Sequence, residues 1–156
     1  MVLDLLPRAA AALVYPVGRL DFDAEGLLLL TNDGELANRL LHPRYEIPRV
    51  YEVEVEGRVA EADLARWRRG AALDDGLAVP KRVSRLSAGP RSTWLSVTFA
   101  EGRYREVKRY CKALGHPVRR LKRVQFGPLR LGDLAPGAHR ALTAAERSAL
   151  DNLRGG

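Results

Sequence analysis

The sequence predicts an α+β fold organised as one domain. Three observations point there. Within residues 49–56, Tyr51 to Glu56 alternate strictly between apolar and acidic side chains, as a half-buried strand does. Two stretches, 32–43 and 101–115, have helical apolar period with their own start and stop signals. No internal repeat, low-complexity tract or linker divides the 156 residues, and strands and helices mix irregularly along them. Apolar residues make up 46% of the chain, enough for a core at this length.

Taken in order, Pro16 makes residues 14–17 extended. Gly18 to Gly26 is a polar, glycine-bounded loop carrying Asp21, Asp23 and Glu25, and residues 27–31 read as a buried strand. Asn32 stands as a helix N-cap with Glu35 at the capping-box position; Leu36, Ala37, Leu40 and Leu41 give one apolar face, and His42-Pro43 ends the helix. In the 49–56 strand, Tyr51, Val53 and Val55 point one way and Glu52, Glu54 and Glu56 the other. Residues 60–69 are helical, anchored by Leu64 and Trp67 and stopped at Gly70. Asp74-Asp75-Gly76 is a turn, and residues 77–86 and 93–99 follow as strands. A helix over 104–114 buries Val107, Tyr110, Cys111 and Leu114; residues 117–126 are extended and basic, and 129–131 form a short strand. Thr143 and Glu146 make a second capping box, opening a terminal helix that reaches Leu153.

The net charge of +7 is unevenly placed. Between Glu101 and Arg130, ten basic residues meet two acidic ones, a net +8, which leaves the rest of the chain close to neutral. Charge concentrated in this way favours a polyanion, most simply nucleic acid, over a merely solvated Arg-rich surface. Cys111 stands alone, which excludes a disulfide framework and thiol-rich metal sites. His42, His116 and His139 lie far apart, without metal-ligand spacing. No apolar run approaches the ~20 residues of a membrane span. Residues 1–14 carry Asp4 and Pro7 and lack a basic leader, so they do not read as a signal peptide. A cytoplasmic location, with no membrane contact, is the expectation.

Gly18-Arg19-Leu20-Asp21, followed by Gly26-Leu27-Leu28-Leu29-Leu30 and Asn32-Asp33-Gly34, closely resembles the signature of the ribosomal RNA pseudouridine synthases of the RsuA/RluB/RluE/RluF group. Arg49-Val50-Tyr51-Glu52-Val53 is similar to that family's second motif, and residues 101–110 to its third, a basic helix start. Residues 132–143 resemble its C-terminal end, leaning over a short stretch towards the small-subunit enzymes. The resemblance implies a mixed, mainly antiparallel sheet with flanking helices and a central RNA-binding cleft. It implies site-specific isomerisation of uridine to pseudouridine in ribosomal RNA or a pre-ribosomal particle, on a flipped base. Asp21 matches the essential nucleophile. Tyr51 matches the tyrosine that packs on the target base and helps remove its C5 proton. Lys108 matches the basic partner of the aspartate. Arg19 matches the residue filling the gap left by the flipped nucleotide, and Leu121 a pocket-lining position.

The chemistry suits these residue types. Isomerisation involves no redox change and no group transfer, so no cofactor or metal is expected. It needs a nucleophile able to assist glycosidic cleavage, and a carboxylate beside a cation stays ionised for that task. Tyr51 sits on the apolar face of its strand, placed to stack on a base. Lys108 flanks the apolar stripe of its helix. The basic run of Arg103, Arg105, Arg109, Arg119, Arg120, Lys122 and Arg123 is expected to hold phosphates without reading sequence. Asp23 and Glu25 read as loop residues, although a second carboxylate near Asp21 could tune its ionisation.

Two departures from the family pattern accompany the match. The N-terminal S4-type RNA-binding domain common in the group has no counterpart here, and residues 2–7 resemble a segment that usually follows a first strand, absent here. A monomer is expected, with dimerisation through an exposed sheet edge as the alternative. A competing function is a non-catalytic RNA-binding or ribosome-assembly factor that keeps the fold. A third is an inactive fragment.

Overall fold

The computed structural model describes residues 2–7, 13–21 and 23–154. In chain order its strands are β1 (Tyr15–Pro16), β2 (Glu25–Gly26), β3 (Leu30–Thr31), β4 (Arg49–Glu56), β5 (Ala71–Leu73), β6 (Gly76–Ala78), β7 (Arg82–Ala88), β8 (Ser92–Phe99), β9 (Val118–Phe126) and β10 (Leu129–Arg130). The α-helices are α1 (Gly34–Leu41), α2 (Leu64–Arg69), α3 (Glu106–Ala113) and α4 (Ala144–Arg154). The main sheet runs β10-β9-β4-β8-β7 with antiparallel neighbours, and β2 joins β9 in parallel. β1 pairs with β3, and β5 with β6, as two small antiparallel sheets. The α+β class and the mixed, mainly antiparallel sheet are therefore as expected. Among the described residues, no helix is long and apolar enough to cross a membrane.

Strand alternation in β4 decides which side of the sheet is covered. Val53 and Val55 are buried and face Leu121 and Val118 of β9 on one side, and Leu95 and Thr93 of β8 on the other. Against this face pack Trp67 of α2 and Val107, Tyr110 and Cys111 of α3. Tyr110 meets Trp67 and Phe99 edge-on, at centroid distances of 5.5 and 5.2 Å, and its hydroxyl donates to the Trp67 carbonyl. This arrangement fixes the rotation of α3 and therefore the direction of Lys108. A second core joins Leu36, Ala37 and Leu40 of α1 to Val17, Leu29, Phe126, Leu129 and Leu150 of α4. β9 feeds both cores, Leu121 entering the first and Phe126 the second.

Several boundaries differ from the sequence reading. The strand expected over 27–31 shrinks to β3, because its earlier peptide groups are shared between two partners: Leu27 N–H donates to the Arg123 carbonyl (2.8 Å) and the Leu29 carbonyl accepts from Val17 (2.8 Å). The α1 N-cap is Asp33 rather than Asn32; its carboxylate accepts from Leu36 N–H at 3.1 Å. The 77–86 stretch divides into β6 and β7 around Pro80, which has no N–H for the ladder. α3 begins at Glu106, since Arg105 adopts the left-handed conformation (φ 46°, ψ 37°). The Thr143/Glu146 capping box forms reciprocally, at 2.9 and 3.1 Å.

Candidate active site

The 18–26 loop is tied down at both ends. Val17 bonds Leu29 on one side, and β2 lies against β9 on the other, Glu25 opposite Lys122 and Gly26 opposite Arg123. Gly26 has φ +120°, and a Cβ there would lie 2.2 Å from the Arg123 carbonyl oxygen, so only glycine allows this approach. The loop turns through a bond from Ala24 N–H to the Asp21 carbonyl (2.9 Å), which makes Asp21 the first residue of the turn.

Beneath Asp21 lies a cavity of about 240 Å³ at the seam between the two cores. Arg19, Asp21, Arg105 and Val107 contribute to its lining together with Tyr51, Leu121 and Phe126 of the sheet. Tyr51 is half-buried and stands opposite Arg123 and Val97 on the covered face of β4. Two buried guanidinium groups close the wall: Arg49 donates to the carbonyls of Ile47 (2.7 Å) and Leu40 (3.3 Å), and Arg123 to that of Leu27 (2.9 Å). Each lies 4.9 Å from the centre of the Phe126 ring, and desolvation holds both below the usual arginine range.

The Asp21 carboxylate is 25% exposed, with Lys108 Nζ at 3.6 Å and Arg105 Nη1 at 4.0 Å. Lys108, only 13% exposed, donates directly to Asp23, and Arg105 lies 3.8 Å from Asp23. The Lys108 hydrogen bond holds the Asp23 carboxyl below the usual range. Next to this cluster a groove of about 250 Å³ is lined by Arg105, Lys108, Lys112 and Arg119, with Asp23 as its one acidic side chain. A carboxylate at the edge of a base-sized cavity, a tyrosine on its wall and a basic groove alongside suit nucleophilic chemistry on a nucleotide.

Comparison with known proteins agrees with this geometry. A family model described as RNA pseudouridylate synthase matches residues 3–113.

The chain belongs to that family.

A protein of Aquifex aeolicus named an uncharacterized RNA pseudouridine synthase is 51% identical over 88% of this chain and 55% of its own length. Ribosomal large subunit pseudouridine synthase B of Haemophilus influenzae is 47% identical over 83% of this chain and 36% of its own. A crystal structure of a pseudouridylate synthase superposes with a TM-score of 0.88 at 31% identity, covering 96% of this chain and 65% of that one. The chain thus spans between 36% and 59% of the length of the curated relatives it matches.

Within this family fold, the structure gathers Asp21, Tyr51, Lys108, Arg19 and Leu121 around one cavity and its rim. The basic run is dispersed. Arg109 makes a two-pronged bond to Asp75 (2.9 and 3.1 Å), and Arg103 reaches Asp75, Glu101 and Glu106, so both are spent on tying the β5–β6 turn to the start of α3. Arg123 is buried in the cavity wall. Arg120 and Lys122 lie opposite Glu54 and Glu52, on the sheet face turned away from Tyr51, and Arg120 pairs with Glu25 (3.0 Å). Only Arg105 and Arg119 of the run line the groove. Sequence reasoning missed Arg49, Glu106 and Asp75. Arg49 had a signal, since it lies two residues before Tyr51 and so on the same strand face. Asp75 had none, because its partners lie about 30 residues away and are chosen by packing.

Glu106 is 4% exposed beside the cavity. Desolvation, reinforced by a hydrogen bond with Glu101 and opposed by Arg103, pushes its carboxyl from 4.5 up to about 8. The folded state therefore retains a proton that the unfolded chain releases. The stability this carboxyl contributes is complete below about 4.5 and is lost as pH rises through about 8. Denaturant titrations across that window should show stability falling with pH, with a shallower fall for Glu106→Gln; equal slopes would contradict the assignment.

Proposed function

We propose that this chain isomerises uridine to pseudouridine in large-subunit ribosomal RNA, with Asp21 as nucleophile and the target base flipped into the cavity beside Tyr51. The observation that carries the reading is Asp21 itself, an aspartate of a tied-down loop that lines a base-sized cavity, flanked by two cations. Family membership supports the reaction, and the names of relatives from Haemophilus influenzae, Bacillus subtilis and Vibrio parahaemolyticus, at 41–47% identity, support the large subunit over the small one that the C-terminal stretch suggested.

In this reading the Asp21 carboxylate adds to C1′ of the ribose as the N1–C1′ bond breaks, and N1 leaves with the bonding pair. The uracil turns in place, C5 bonds to C1′ and the carboxylate is released. The C5 proton then departs with help from Tyr51, and N1 takes up a proton. Lys108 and Arg105 stand beside the attacking carboxylate, at 3.6 and 4.0 Å. Tyr51 and Leu121 bracket the base, at the unstacking cost of a few kcal/mol that flipping carries. Arg19, exposed at the rim, is placed to enter the helix the base has left. The groove of Arg105, Lys112 and Arg119 holds the phosphate backbone.

Ribosomal RNA carrying 5-tritiated uridine tests the chemistry: the chain should release tritium, and Asp21→Asn should release none above background while still binding the RNA. Release by Asp21→Asn at the native rate would sink the nucleophile assignment. No release by the folded native chain would favour the non-catalytic RNA-binding reading instead. Salt titrations test the track. Lys112→Gln and Arg119→Gln should each flatten the slope of log K against log salt by about one, as loss of one phosphate contact does. Arg120→Gln or Lys122→Gln, on the far face, should leave it unchanged; the reverse pattern would move the RNA to that face.

A further inference from the structure

Asp23, two residues beyond Asp21 in the same loop, has no role in the reaction as described so far, yet it is the nearer partner of both cations. Its carboxylate takes the direct hydrogen bond from the Lys108 ammonium. The Asp21 oxygen lies 3.6 Å from that nitrogen, outside hydrogen-bond range. Arg105 lies outside hydrogen-bond range of both, with Nη1 3.8 Å from Asp23 and 4.0 Å from Asp21. Two cations are thus shared by two carboxylates, and Asp21 receives their field without their hydrogen bonds.

We propose that Asp23 is a positioning residue that holds Lys108 off Asp21, so that the Asp21 oxygen stays free to bond C1′ of the flipped uridine. The inference rests on the reading of Asp21 as the nucleophile. A carboxylate in a charge-assisted hydrogen bond has a lone pair engaged and its charged ground state stabilised, and both effects slow its attack. Cations held a little farther away still attract the Asp21 carboxylate, because Coulomb attraction declines only as the inverse of distance. Once Asp23 is neutralised, the nearest carboxylate to the Lys108 ammonium is Asp21, and the ammonium closes on it. Asp23 is also the one acid lining the basic groove. Its neutralisation makes the RNA track more positive, so binding tightens as chemistry slows. A residue that merely held the loop in shape would weaken both together.

The test measures two quantities on one probe, transcribed large-subunit ribosomal RNA carrying 5-tritiated uridine: single-turnover tritium release with enzyme in excess, and filter binding at low salt. Asp23→Asn should slow release by about tenfold or more, the scale of one charge-assisted hydrogen bond, with binding unchanged or tighter. Asp23→Glu should restore most of the rate. Native release by Asp23→Asn, or rate and affinity falling together in a variant with a native cooperative melt, would overturn the proposal. If Asp23→Asn melts without cooperativity, Asp23→Ser carries the same comparison and the same outcomes. Asp21→Asn in the same assay separates the two levels of argument. Release by Asp21→Asn removes the nucleophile reading itself, whereas its silence alongside native release by Asp23→Asn removes only the role of Asp23.

Discussion

The parallel bridge between Glu25–Gly26 and Lys122–Arg123 sets the distance between the loop bearing Asp21 and the strand bearing Leu121 and Arg123. It depends on one residue without a side chain, because a Cβ at Gly26 would collide with the Arg123 backbone. It also depends on β9 staying straight enough to serve two cores at once. From the same strand come the floor of the cavity through Leu121, a wall through Arg123 and Phe126, and the anchor for the loop above. β4, paired along its length to β9, then presents Tyr51 to that space. Asp21 and Tyr51, 30 positions apart in sequence, acquire their relation through the backbone hydrogen bonds of β2, β9 and β4.

Charge in this molecule is organised by what neutralises it. The +8 segment suggested a continuous phosphate-binding surface, but much of it is consumed internally. Asp75 takes Arg109 and part of Arg103, Glu25 takes Arg120, and the Asp21–Asp23 pair shares Arg105 and Lys108. Strand geometry turns Arg120 and Lys122 to the far face, because alternate residues point opposite ways. What remains beside the cavity is a narrow groove. That groove runs beside the Asp21–Asp23 pair, with Arg105 and Lys108 between them.

Sequence periodicity made much of the fold legible. The alternation of β4 and the apolar stripe of α3 placed Tyr51 facing inward and Lys108 at a buried margin, and both positions hold. The loop was recognisable as a motif, and its residues do meet around one cavity. Other features were invisible for definite reasons. The 27–29 segment reads as strand by composition, but its hydrogen bonds are divided between Val17 and β9, which no local pattern reveals. Arg105 was one basic residue among ten until its left-handed backbone turned it towards Asp21. Arg123 looked like a surface cation; its place opposite Tyr51 rather than Glu52 follows from irregularities in the β4–β9 register that the sequence does not mark. The carboxyl of Glu106 gives no sign of its burial, since an acid at a helix start is ordinarily solvated there.

The proposed reaction turns on Asp21 meeting the ribose C1′ of a nucleotide whose base is lodged in the cavity. A crystal structure of the chain with a short ribosomal RNA hairpin bearing 5-fluorouridine at the modified position observes that contact directly. The predicted result is a flipped fluorinated ring against Tyr51 and Leu121, with C1′ bonded to or in contact with an Asp21 carboxylate oxygen and the phosphates along Lys112 and Arg119. A target base still stacked in its helix, or a ribose facing any side chain other than Asp21, would contradict it.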